Sequence, residues 1–73
     1  MRLPALVLKK MSVRLKSKSD EYLKDLLNHY EIQLLTLNDE DYKYYSKPIK
    51  QKINVVKAEM YYRIVLNSQQ IQN

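Results

Sequence analysis

The sequence predicts a mainly α-helical fold: a short N-terminal strand, then a two-long-helix antiparallel hairpin, completed by dimerisation. Three observations carry that prediction. Glycine is absent and proline occurs twice in 73 residues, too little turn chemistry for an all-β fold. Residues 19–37 and 47–68 repeat apolar side chains at spacings of three and four, the helical period, whereas residues 11–16 alternate, the strand period. A single domain of this length buries only roughly 60% of its unfolded surface, so its core needs support. With no cysteine and one histidine, neither a disulfide framework nor a zinc finger supplies it. Packing on a second copy or a partner remains.

Residues 1–18 form a basic arm. Arg2, Lys9, Lys10, Arg14, Lys16 and Lys18 stand there without one acidic residue, a net +6. Inside it, strict alternation puts Met11, Val13 and Leu15 on one side and Ser12, Arg14 and Lys16 on the other. Leu8, Met11 and Leu15 would also share a helical face. Ser, Val and Arg in succession are a poor helical set, however, so a strand is the preferred reading. A lone strand leaves its backbone unpaired, and the same segment of a second copy is its simplest partner. A homodimer is therefore expected.

The first helix, residues 19–37, opens with Ser19 as cap and with Asp20 and Glu21 where the helix dipole favours negative charge. Leu23, Leu27, Tyr30, Leu34 and Leu37 form its apolar seam, widened by Leu26. Residues 38–46 are read as a connection, in which Asn38 and Asp39-Glu40-Asp41 cap a short turn over 39–45. The second helix, residues 47–68, starts at Lys47-Pro48, since proline is tolerated where its missing N–H is not needed. Ile49, Ile53, Val56, Met60 and Ile64 line its seam, and Val55, Ala58, Tyr61, Tyr62 and Val65 extend apolar character around it. That surplus calls for an additional neighbour. The polar tail, 69–73, is expected to fray. The chain is read as one small domain, 1–73.

Charge is unevenly distributed. Residues 19–41 carry seven acids against Lys24, and residues 42–73 carry Lys43, Lys47, Lys50, Lys52, Lys57 and Arg63 against Glu59, so these two parts nearly cancel. The excess of +5 belongs to the arm, which implies an anionic partner. Lys47, Lys50 and Lys52 oppose the dipole of the second helix, and pairing with the acidic first helix is preferred over a bound external anion.

No enzyme is expected, and no catalytic residue, metal ligand or cofactor is assigned. There is no glycine for a phosphate-cradling loop and no cysteine nucleophile. His29 lacks a well-placed orienting carboxylate, with Asp25 and Glu31 the nearest in sequence. Asp39, Glu40 and Asp41 suit helix capping better than metal binding. Tyr42, Tyr44, Tyr45, Tyr61 and Tyr62 could stack single-stranded bases. In a chain without Phe or Trp, core or interface duty is the preferred reading for them. The longest uncharged apolar run, residues 3–8, is too short to span a membrane or to serve as a secretory signal. No membrane partner is expected, and a cytoplasmic location is.

The stretch "MSVRLKSKSDEYLKDLL", residues 11–27, resembles the ribbon-helix-helix DNA-binding proteins. In that family two copies pair their strands into a ribbon that enters the major groove, above a core of four helices. The resemblance implies that Ser12, Arg14 and Lys16 face base edges, where an arginine fork suits guanine, and that Met11, Val13 and Leu15 face the core. It also implies a phosphate anchor at Ser46 and Lys47, with Lys18 adding charge. The family places a short turn, often with glycine, between its helices; here "TLNDEDYKYYSK" intervenes and the first helix is long. The function expected on this reading is transcriptional regulation of phage or mobile-element type, through DNA or RNA bound by the basic arm. The alternative is a helical-hairpin inhibitor that docks on a host protein, with Val56, Met60 and Tyr61 joining Met11, Val13 and Leu15 at the partner or dimer interface. A small ribonucleoprotein component is a third possibility.

Overall fold

The computed structural model describes residues 2–71, and side chains over 2–68. It contains three helices, α1 (Ala5–Leu15), α2 (Asp20–Leu35) and α3 (Asp39–Ile71), and no strand among the described residues. The expected N-terminal strand is thus overturned: residues 5–15 are helical. Pro4 precedes the first turn with φ −59° and ψ 146°, a backbone that proline favours and that leads into a helix. The alternation of Met11, Val13 and Leu15 was too short to fix a period. Helical spacing instead carries Leu8, Met11, Ser12 and Leu15 to the inner side and leaves Val13 exposed. Packing decides against the modest local propensity of Ser12 and Val13. With no strand to pair, the ribbon on which a homodimer was expected is absent among the described residues.

α2 begins as the sequence indicates. The Ser19 hydroxyl accepts a hydrogen bond from the Tyr22 N–H at 3.0 Å. Asn38 does the same for α3, its Oδ1 accepting from the Asp41 N–H at 2.7 Å. That cap opens a 33-residue helix, not a short turn, so the expected connection at 38–46 is helical as well. Pro48 lies in the helix interior. Its missing N–H leaves the Tyr44 carbonyl without its usual donor, and Tyr44 is well exposed, so water has access to that side. The expected frayed tail is helical through residue 71, and residues 72–73 lie outside the described ones.

How does a chain without glycine make its two reversals? Lys16 and Thr36, which close α1 and α2, both have right-handed backbone angles, φ −61° and −88°. No described residue has a positive φ. The reversals therefore never require the left-handed conformation for which glycine is suited.

α3 is the spine. At about 1.5 Å per residue it spans about 50 Å, which matches the 51 Å long axis of the molecule. α1 runs parallel to it: the Leu3 N–H donates to the Gln51 side chain near one end, and Lys16 reaches Glu59 near the other. α2 runs antiparallel, with Asp20 at Arg63 and Leu34 beside Ile53. The core gathers where all three meet, at Leu15, Leu23 and Val56, with Met11, Leu26, Leu27, Tyr30, Val55 and Met60 packed around them. Ile49 and Ile53 continue it along α3. Among the described residues no helix is long and apolar enough to cross a membrane.

Candidate docking face

Helical periodicity divides α1 into two faces. Leu8, Met11 and Leu15 turn towards the other helices, and Leu15 is fully inside the core. Leu6, Lys9, Lys10, Val13 and Arg14 follow the i, i+3, i+4, i+7, i+8 rule on the opposite side. Together they line a shallow surface concavity. Leu6 and Val13 are each 61% exposed. None of the three cations is in an ion pair among the described residues, where all such pairs involve Lys16 or Arg63. The face therefore offers two apolar side chains set among three positive charges with no counterion among the described residues.

The residues expected to read bases do not act together. Ser12 is half-buried and lines a groove with Gln51, Asn54, Val55 and Ala58 of α3. Arg14 is on the outer face. Lys16 follows the last residue of α1, where its Nζ lies 3.3 Å from Glu59 Oε1 and 5.0 Å above the Tyr62 ring. Lys18 sits over the Tyr22 ring at 5.1 Å. A helix turns about 100° per residue, so positions two apart do not share a face. The outward trio of Ser12, Arg14 and Lys16 is not formed. Ser46 is buried in mid-helix and Lys47 is exposed beside it, so neither stands at a helix N-terminus, and the expected anchor there has no free N–H groups.

The interface residues also separate. Leu15 and Val56 are core, Met11 and Met60 are half-buried beside them, and Val13 and Tyr61 are exposed. Lys47 and Lys50 make no ion pair among the described residues, and Lys52 lies 5.7 Å from the centre of the Tyr30 ring. The expected pairing of these lysines with the acidic helix thus takes no direct form. Tyr42, Tyr44, Tyr45, Tyr61 and Tyr62 are all exposed, which overturns the core half of the core-or-interface duty expected of them. His29 is exposed, with its ring 5.8 Å from that of Tyr30. No cluster able to hold a metal ion is found among the described residues.

One constellation was missed from the sequence. Glu59, only 6% exposed, accepts hydrogen bonds from Lys16 Nζ at 3.3 Å and from Arg63 Nε at 2.9 Å. Arg63 also donates to Asp20 at 2.7 Å and to the Leu15 carbonyl at 2.9 Å. One guanidinium thus caps the C-terminus of α1, where the helix dipole favours a cation, meets the N-terminal carboxylate of α2 and neutralises the buried Glu59. Burial pushes the Glu59 carboxyl up, but the hydrogen bonds and charges of Arg63 and Lys16 outweigh it and hold it below its ordinary value. The available signal was that Glu59 is the lone acid of residues 42–73, four residues before Arg63. This network orients α1 on α3 and thereby fixes which of its faces is presented. Comparison with known protein families, with curated proteins and with solved structures finds no match.

Proposed function

We propose that the protein is a non-enzymatic, cytoplasmic binding module that docks the outer face of α1 on a partner protein and blocks or tethers it. The observation that supports this reading is the pairing of Leu6 and Val13 with Lys9, Lys10 and Arg14 on one exposed face. Phosphates would engage the cations and leave Leu6 and Val13 without a role. A protein groove with an apolar floor and an acidic rim engages both, which is the common anatomy of a specific interface. The rest of α1 is committed to α3, so docking need not dismantle the fold.

The test is affinity capture from an extract of the native host, followed by titration with the captured protein. Val13→Asp places a negative charge at the centre of the face and Lys9→Glu/Lys10→Glu reverses its rim. Each variant is expected to weaken the complex about fivefold or more, as befits a loss of about 1–3 kcal/mol, with the helical circular dichroism unchanged. Capture that survives both variants, or recovery of nucleic acid alone, overturns the proposal.

A further inference from the structure

The spine helix carries a second exposed surface, independent of α1. Lys43, Lys47, Lys50, Asn54, Lys57 and Tyr61 follow one another at spacings of four, three, four, three and four, which is one stripe of a helix. All six are exposed. α1 and α2 occupy other sides of α3, through residues such as Ile49, Ile53, Val56 and Glu59. The four lysines extend over about 21 Å of helix axis.

None of these lysines has a carboxylate within ion-pair distance among the described residues. The acids nearest to the stripe are known: Asp39 and Glu40 lie one turn before Lys43, and Glu31 of α2 shares a surface concavity with Lys50 and Lys57. Lys50 Nζ sits 5.1 Å above the Tyr42 ring, a contact that leaves its charge in place. An aromatic ring closes the row: Tyr61, 68% exposed, lies on the stripe itself, whereas Tyr44, 60% exposed, stands about 100° round the helix from Lys43.

We propose that this stripe binds single-stranded nucleic acid, the lysines following the phosphates and Tyr61 stacking on an unpaired base. Linear positive charge combined with exposed aromatic faces is the chemistry such strands require. Lysine supplies point charges without the planar fork that reads a base pair, so the surface has no means of selecting a duplex sequence. Within the stripe only Asn54 and Tyr61 accompany the lysines, so it lacks the row of aliphatic side chains with which an interfacial helix enters a lipid bilayer.

The experiment is fluorescence anisotropy with a labelled oligouridylate of about twelve nucleotides, a length within the usual site size. Four phosphate contacts predict a log–log salt slope of about −3, hence an affinity loss of about fifty-fold between 50 and 200 mM salt. Lys47→Glu/Lys50→Glu/Lys57→Glu is expected to abolish binding, and Tyr61→Ala to weaken it about fivefold or more, from a stacking contribution of about 1–3 kcal/mol. All substitutions are at exposed positions, and circular dichroism checks that the fold is kept. Lys9→Glu/Lys10→Glu, on the other surface, is expected to leave binding largely intact. Four results each overturn the proposal: no binding at low salt, binding that survives the triple reversal, equal affinity for duplex DNA, or equal affinity for anionic vesicles.

Discussion

Glu59 is a carboxylate with almost no access to water, and Arg63 and Lys16 make that position tolerable. Its two oxygens are both used, one by each cation, and no buried side-chain polar atom among the described residues lacks a partner. Truncation by Glu59→Ala strands those cations and is expected to destabilise the protein by about 1–3 kcal/mol in urea unfolding at neutral pH. The pH dependence has a definite sign. Because the folded-state pKa lies below the ordinary 4.5, the unfolded chain takes up the proton first. The stabilisation is present above that ordinary value and is lost as pH falls through the folded one. Glu59→Gln is therefore expected to lose less stability than the native protein as pH is lowered from neutral through and below the ordinary 4.5. An equal loss in both would show that Glu59 is not held by its partners. In the sequence, charge counting reached Glu59 but not its burial, because burial depends on which side of the spine α1 occupies.

At the scale of elements, the caps and the body of the third helix, residues 47–68, are legible, whereas the first helix and the start of the third are not. Ser19 and Asn38 each announce a start that the hydrogen bonds bear out, since an N-cap is a local interaction between near neighbours. The seam of Leu23, Leu27, Tyr30 and Leu34 also reads correctly, because sixteen residues sample the helical period several times. Six alternating residues cannot do so, which is why residues 11–16 read as a strand in the sequence although 11–15 fold as part of α1. Pro48 misled in the other direction: its preference for a first turn is a statistical bias, and the cap at Asn38 had already begun the helix. A proline inside a helix costs about 3 kcal/mol relative to alanine, less where water serves the freed carbonyl. Pro48→Ala is thus expected to stabilise the protein by about 1–3 kcal/mol, read as a higher urea midpoint at unchanged slope. Were Pro48 in a first turn, as its surroundings in the sequence suggest, the same change would be neutral or unfavourable.

For the molecule as a whole, a single long helix serves as the platform for two short ones, and that arrangement sets where stability resides. Among the residues whose side chains are described, the buried ones of α3 all lie from Ser46 to Glu59. Beyond that segment the helix continues with exposed side chains, including Tyr42, Tyr44, Ile64 and Leu66. Burial of apolar area is the main force holding a helix of a small protein in place, so opening should be graded along the spine. Amide hydrogen exchange measured residue by residue is expected to be slowest between residues 49 and 60, with Leu23 and its neighbours next. The turns at 39–44 and after Arg63 should exchange through local fraying at much lower free energy. The same gradient reaches function: the outer face of α1 rests on the protected segment, so docking there should slow exchange in α1 and the centre of the spine but not at the ends of α3. Uniform protection along α3, or a terminal turn slower than the centre, would mean that these exposed apolar residues are covered in solution and that the platform extends further than this fold provides.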